Sequence, residues 1–383
     1  MVEMSKRVWA TVDLSAFRKN LAIASKLCPN SKIFPVVKSN AYGHGMEKIA
    51  TAVSGSGSSK KVAGLAVATI QEAIELHKLK FGHPILLMNG FVTKDELCLC
   101  MELNLEVVLH AYYQVDLVME LIREKPLNKK IRFWIKMNTG MNRLGMFAEE
   151  CQRAIAFLKS VPNTEIVFMT HLAYADDMEN PESKSFTDKQ LKRFRQVENA
   201  LKLDFDEKLQ TSISASAGIL TLKEAHRDYV RPGVMLYGSS PLAKKNGEDL
   251  GLHPVMTLSS RLIAIKEVQA GEGVGYNATY VCEKETKIGT VSIGYGDGYP
   301  RSARNGTPVL IKTSKKVFRT QIIGRVSMDM ITVDLSGIDD VQINDEVVLW
   351  GHGLVADEVA AHSGTIAYEL FCKVTKRVPF IYV

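Results

Sequence analysis

Short apolar runs recur at regular spacing over the first two-thirds of the chain: 33–37, 62–68, 84–88, 106–110, 131–136, 165–171, 212–216 and, less cleanly, 229–236. Between them lie amphipathic stretches, such as 69–79 with apolar Ile70, Ala73 and Ile74, and 187–203 with Leu191, Phe194, Val197 and Leu201. Apolar runs alternating with helical periods predict βα units around a parallel sheet, whose strands are buried on both faces. Eight such runs within about 250 residues are the number that closes a (β/α)8 barrel. An open doubly wound sheet is the alternative, and the even count and the length favour the barrel.

From about Pro254 the pattern changes to short β-type stretches, MTLSSRLIAIKEV, KIGTVSIGYG, TPVLIKT, FRTQIIGRV, DMITVDL and DEVVLWG, divided by turn residues. Helical periods return only at 355–361 and 367–375. The expected fold is α/β, an N-terminal (β/α)8 TIM-type barrel followed by a mainly β C-terminal domain. The expected domains are 1–250 and 251–383, divided near the polar stretch KKNGEDLGLH. A first strand at about 7–14 alternates like a strand, precedes the first barrel helix and is expected to pair with the C-terminal domain.

Composition adds exclusions. The 383 residues are 46% apolar and 23% charged, the balance of an ordinary globular protein. The net charge of +6 comes from 48 basic and 42 acidic residues spread along the chain, with no block that reads as a nucleic-acid patch. Six scattered cysteines, of which only Cys98 and Cys100 are close, read as reduced thiols and not as a metal site. The first residues lack the apolar core of a signal peptide, and no run is long enough for a transmembrane helix. The expectation is a cytoplasmic protein, with no metal, no nucleic acid and no membrane among its partners.

A barrel of this kind does its chemistry at the C-terminal ends of its strands. Lys38, Lys136 with Arg143 just beyond it, His171, Ser216 and Arg231 all fall at or near those ends. Lys38 closes the first run within VVKSNAYGHG. Its amine is either a snorkelling surface group or a nucleophile for a Schiff base with an aldehyde. Tyr42 follows in the loop, as a cofactor hydrogen-bond donor or as a cap on the barrel rim. Gly43 and Gly45 suggest a tight turn that something approaches closely. Lys136 and Arg143 suit either surface ion pairs or an anionic ligand. Ser216 after the seventh run and Arg231–Val234 at the eighth either hold phosphate, as such barrels often do there, or merely finish the barrel rim. Phosphate beside a nucleophilic lysine suggests pyridoxal phosphate. Tyr276, Tyr280, Tyr295 and Tyr299 in the second domain read, by themselves, as ordinary strand tyrosines.

VVKSNAYGHG, MNTGMNRLG, THLAYAD, RPGVMLYG, GYNATY, IGYGDGYPR, GRVSMDM and TIAYEL, in this order, resemble segments of the alanine racemase family. The resemblance covers nearly the whole chain and implies a pyridoxal 5'-phosphate enzyme that interconverts L- and D-alanine, supplying D-alanine for peptidoglycan. It further implies a homodimer with shared active sites and a small amino acid as substrate. Lys38 resembles the lysine that holds the cofactor and acts as one base. Tyr276 resembles the opposite base, supplied by the partner subunit. Arg231 resembles the arginine facing the pyridine nitrogen, and His171 the histidine between that arginine and the tyrosine. Arg143 resembles the residue at the cofactor's phenolic oxygen and the substrate carboxylate. Lys136 matches a lysine that is often carbamylated. Tyr42, Ser216, Gly233, Val234 and Tyr368 match the phosphate set, and Met328 and Asp329 the substrate segment. Asp176, Tyr295, Arg301 and Arg325 match the gates of the substrate channel. Asn138 and Ser39 depart from the more usual Asp and Ala. The nearest rivals are a broader amino-acid racemase, a basic amino-acid decarboxylase, a non-catalytic cofactor carrier and a lysine aldolase.

Overall fold

A computed structural model describes residues 6–55, 57, 59–205 and 209–383. Its strands are β1 (Val8–Val12), β2 (Lys32–Ile33), β3 (Leu65–Val67), β4 (Ile85–Leu87), β5 (Glu106–Leu109), β6 (Ile131–Lys136), β7 (Thr164–Met169), β8 (Gln210–Ala215) and β9 (Tyr229–Arg231). In the second half follow β10 (Met256–Val268), β11 (Gly273–Val274), β12 (Tyr280–Val281), β13 (Thr286–Val291), β14 (Pro308–Lys312), β15 (Val317–Gln321), β16 (Ile331–Asp334), β17 (Glu346–Trp350) and β18 (Phe380–Tyr382).

Strands β2–β9 form one parallel sheet, and each of the eight overlaps one of the eight apolar runs. Bridges from Ile33 to Val62 and from Val36 to Ala66 close that sheet into a barrel. Pro35 has no N–H to give to a ladder, so β2 stops at Ile33 and pairing resumes beyond the proline. The barrel carbonyls are nonetheless used: Pro35 O accepts from Ala66 N–H and Ala66 O from Val37 N–H. Leu65, Ala66, Val67, Phe133, Trp134 and Ile135 are fully buried, as strands covered on both faces require. Glu106, buried among them, is satisfied by the Trp134 indole N–H at 2.7 Å and the Arg132 guanidinium at 2.6 Å.

The amphipathic stretches are helices. Ile70–Lys78 starts at Thr69, whose hydroxyl accepts the Glu72 N–H while the Glu72 carboxylate accepts the Thr69 N–H. Pro181–Phe205 is the longest helix, and Leu191, Phe194, Val197 and Leu201 all face the core. That spacing of three and four residues is the signature read from sequence.

β10 organises the second half. It pairs antiparallel with β1, β13 and β17, and the sheet runs β15-β14-β17-β10-β1-β18. β1 therefore belongs to this sheet and not to the barrel. Asp13 turns the chain from β1 into the first helix, Leu14–Leu27, its carboxylate accepting the N–H groups of Ser15 and Ala16. Helices Ala356–His362 and Ala367–Lys373 then bring the second half back against the barrel mouth.

Candidate active site

Lys38 leaves the barrel on an unusual piece of backbone. Ser39, Asn40, Ala41 and Tyr42 all have φ between 51° and 54°, a left-handed turn built without glycine. Each such L-residue costs about 1–2 kcal/mol, so the surroundings must hold the turn. Glu72 accepts the Ser39 N–H at 2.6 Å, and the Asn40 side-chain oxygen accepts the Met46 N–H at 2.8 Å. His44, fully buried, donates through Nδ1 to the carbonyls of Tyr42 and Ala41 at 2.8 and 3.1 Å. Two carbonyl acceptors fix the proton on Nδ1. Burial holds this imidazole down at about 4, so it is neutral.

The close approach expected at Gly43 and Gly45 is made by the second domain, not by a ligand. A Cβ on Gly43 would stand 2.2 Å from the Phe371 carbonyl oxygen, and one on Gly45 equally close to the Tyr382 hydroxyl. The turn is thus seated on helix Ala367–Lys373 and on β18.

Five cationic or basic groups converge above the barrel. Burial and the Arg143 charge lower the Lys38 amine, partly opposed by Glu72 and by Cys372. Burial, then Arg231, Arg143 and Lys38, bring Lys136 to about 8. Burial and the charges of Arg231, Lys136, Arg143 and Lys38 hold His171 at about 3. Lys136 is only 9% exposed and makes no ion pair among the described residues. Such a concentration of positive charge, only partly opposed by Glu72, suits an anionic ligand.

Arg231 is buried and both of its outer nitrogens are hydrogen-bonded. One bonds Ser212 Oγ, and the other donates to the carbonyls of Thr170 at 2.8 Å and Ile213 at 3.1 Å. Burial lowers it to about 10, which leaves it cationic at neutral pH. Nearby, Ser216 Oγ accepts the N–H of Gly233 at 2.8 Å and of Met235 at 3.4 Å. A Cβ on Gly233 would lie 2.5 Å from the Tyr42 hydroxyl, so the space between Tyr42 and Gly233–Val234 exists only because residue 233 is glycine. The Tyr42 ring packs on Tyr237 and Tyr368, with centroids 4.8 and 5.9 Å away. Burial pushes both the Tyr42 and the Tyr368 phenols upward, so each remains a neutral O–H donor. Hydroxyls beside a glycine-made gap are a lining that could hold a phosphate. With Lys38 for an aldehyde and Arg231 for a ring nitrogen, these residues fit pyridoxal 5'-phosphate.

The second domain places its candidates elsewhere. Tyr276 is 70% exposed, on the short turn Tyr276–Ala278, and no contact joins it to Lys38 among the described residues. Gly275 backs onto Arg325, Tyr295 N–H bonds the Ser327 carbonyl, and Gly296 N–H the Met328 carbonyl at 2.9 Å. Tyr276, Tyr295, Arg325, Met328 and Asp329 therefore lie on neighbouring loops, and all of them are exposed, as is Arg301. Asp176 is exposed on the barrel side, where its charge is felt by Tyr368. A cavity of about 1100 Å³ lined by Lys26, Lys202, Arg227 and Asp228 lies at the opposite end of the strands and includes none of these residues.

Several neighbours of the site have no motif to announce them. Arg377 bonds Asp329 at 2.7 Å and reaches Asp297 at 3.4 Å, fixing the Met328–Asp329 loop. Cys372 stands four residues after Tyr368 on the same helix face, within electrostatic reach of Lys38. Glu72 is foreshadowed by the T-x-x-E pattern at its helix start, though that pattern predicts the cap and not the bond to Ser39.

Comparison with known proteins agrees with this geometry. Residues 12–241 match the family model for the alanine racemase N-terminal domain, and residues 255–382 that for the C-terminal domain. The biosynthetic alanine racemase of Pseudomonas aeruginosa is 43% identical over 374 residues, 97% of this chain and 98% of that protein. An alanine racemase of Vibrio vulnificus is 41% identical over 98% of this chain and 99% of its own. The crystal structure of the Pseudomonas aeruginosa biosynthetic enzyme superposes with a TM-score of 0.89 at 41% identity, covering 99% of this chain and all of that one. That of the Acinetobacter baumannii alanine racemase gives 0.87 at 35% identity, over 99% and 100% of the two chains. The chain belongs to the alanine racemase family, whose members are pyridoxal-phosphate-dependent isomerases.

Proposed function

We propose that this protein interconverts L- and D-alanine with pyridoxal 5'-phosphate, in a homodimer whose two active sites each draw on both subunits. The observation that carries the shared site is Tyr276. It belongs to a loop cluster with Met328 and Asp329, yet it is exposed, and no contact joins it to Lys38 among the described residues. A proton donor needs a partner to act on, and a second copy supplies one. Residues 1–250 then bind the cofactor, and 251–383 present the second base to the partner.

Tyr42, Ser216, Gly233, Val234 and Tyr368 hold the phosphate. Arg231 would meet the ring nitrogen, and Arg143 the phenolic oxygen and the substrate carboxylate. When bound, the cofactor supplies the electron sink that lets an α-proton leave carbon. Lys38, its amine lowered by burial and by Arg143, would hold the cofactor through its aldehyde carbon. The Lys38 amine takes or returns the α-proton on one face. The phenol of the partner subunit's Tyr276 does the same on the other face. Inversion requires both bases, because a single base returns the proton to the side it left. His171, neutral at working pH, links Arg231 to that phenol. Met328 and Asp329 place a backbone N–H at the substrate carboxylate, while Asp176, Tyr295, Arg301 and Arg325 line the channel. Lys136 carries a carbamate that turns a cation into an anion for Arg143.

The supply of D-alanine for peptidoglycan, in the cytoplasm, is the role this activity serves. A chiral assay on wild type, Lys38→Ala and Tyr276→Phe tests the assignment. Racemisation falls by several orders of magnitude in both variants, and unimpaired racemisation in either one refutes the two-base reading.

A further inference from the structure

The long helix Pro181–Phe205 sends Gln190 into the barrel rim. Gln190 is fully buried. Its amide nitrogen donates to Thr139 Oγ1 at 3.0 Å and to the His171 carbonyl at 3.2 Å, and its oxygen accepts the Ala173 N–H at 2.9 Å. Thr139 Oγ1 lies 2.8 Å from Thr170 Oγ1, which lies 3.0 Å from the Met137 carbonyl. Arg193, one turn along the helix, donates to the Thr139 carbonyl at 2.9 Å.

The direction of this chain is fixed. A carbonyl only accepts, so Thr170 donates to Met137. Thr170 must then accept from Thr139, which in turn accepts from Gln190. Every proton runs one way, from the helix amide to the end of β6. Thr139 and Thr170 are both buried, so water does not replace a lost bond at no cost.

Thr170 is also the hub of the functional groups. Its carbonyl accepts the Arg231 guanidinium, its N–H bonds the Ser212 carbonyl at 3.1 Å, and His171 is the next residue. Lys136 stands beside Met137 at the other end of the chain. We infer that Gln190, Thr139 and Thr170 form a positioning brace that sets Arg231 and His171 against the end of β6, and so tunes turnover without touching substrate. The inference rests on the roles proposed for Arg231 and His171.

Two predictions separate it from a bland packing role. Gln190→Glu keeps size and shape but sets an acceptor where a donor is required, so it breaks the chain. Thr139→Val removes the relaying hydroxyl, while Thr139→Ser keeps it. No hydrogen bond of the brace reaches the Arg143 side chain or the Met328–Asp329 loop, so kcat moves and KM does not.

The experiment compares Thr139→Val, Thr139→Ser and Gln190→Glu holoenzymes by kcat, KM, cofactor dissociation constant and amide hydrogen exchange over residues 170–173, with Arg231→Lys as reference. Thr139→Val and Gln190→Glu lose about tenfold in kcat, hold KM within about twofold, bind cofactor about tenfold more weakly and exchange faster at 170–173, while Thr139→Ser behaves as wild type. If Thr139→Val yields no folded protein, Gln190→Met takes its place with the same expected losses. Equal kcat and cofactor affinity in Thr139→Val and Thr139→Ser, with Arg231→Lys crippled, overturns the brace alone. An Arg231→Lys enzyme at wild-type kcat overturns instead the role of Arg231 on which the brace depends.

Discussion

Glu72 accepts the backbone N–H of Ser39 at 2.6 Å through one carboxylate oxygen and those of Ala68 and Thr69 at 2.8 and 3.1 Å through the other. One side chain thereby caps a helix and anchors the left-handed turn that begins after Lys38. Its charge also raises the Lys38 amine against the burial that lowers it. Glu72→Gln turns one acceptor into a donor that faces N–H groups. The expected loss is about 1 kcal/mol of stability and roughly tenfold in kcat through a looser turn. Without the anion the Lys38 amine drops further. The pH midpoint for cofactor capture by the cofactor-free protein therefore moves down in Glu72→Gln. A midpoint that stays or rises contradicts the role given to Glu72.

His44 makes the fold sensitive to acid. Its ordinary value of 6.5 falls to about 4 on burial, so between those limits the unfolded chain binds a proton that the native chain refuses. The stability at stake is complete above 6.5 and is lost as pH falls toward 4, on the order of 3 kcal/mol for this one group. Denaturant titrations of His44→Phe between pH 7 and 4 will show a slope shallower by about one proton. An unchanged slope rules out His44 as the titrating group. His171 keeps a similar contribution in both proteins.

Lys136 has only cations for company, and its value near 8 leaves part of the amine neutral and nucleophilic under ordinary conditions. The proposed carbamate forms when carbon dioxide adds to the neutral amine with loss of one proton. Protein prepared under carbon dioxide-free buffer is expected to lose activity and regain it with bicarbonate, with density at Lys136 then extending beyond Nζ. A bare ammonium in a fully active enzyme excludes the carbamate.

Gly233 holds open the space beneath the Tyr42 hydroxyl. Tyr42 is wedged by Tyr237 and Tyr368, so it has little freedom to yield to a methyl 2.5 Å away. Gly233→Ala is expected to weaken cofactor binding at least about tenfold, measured by fluorescence titration of the cofactor-free protein. Wild-type affinity in that variant would falsify the placement of the phosphate.

The barrel was legible because its strands are buried on both faces and announce themselves as apolar runs; all eight were found by that rule. The helix Pro181–Phe205 was legible by its spacing of Leu191, Phe194, Val197 and Leu201. The site candidates came from polar residues at strand ends and from family resemblance. What sequence did not reveal was how those groups are held. Ser39, Asn40 and Ala41 are not residues that suggest positive φ in a row, so the left-handed turn read as a plain loop. Gln190 looks like any polar residue of an amphipathic helix, and its burial depends on loops fifty residues earlier. Arg377 and Asp329 are 48 residues apart, with no period to link them. Local chemistry has a sequence signature, and long-range hydrogen bonding has none.

The central claim is that Lys38 and Tyr276 meet only across a subunit interface. Coexpressing Lys38→Ala with Tyr276→Phe tests it most directly. In a mixed dimer both substitutions fall in one site, and the other site keeps an intact lysine and an intact tyrosine. Random pairing makes half the dimers mixed, so the coexpressed enzyme recovers about one quarter of the wild-type racemisation rate, while each variant alone has almost none. No recovery, from dimers shown to be mixed, would contradict the shared site.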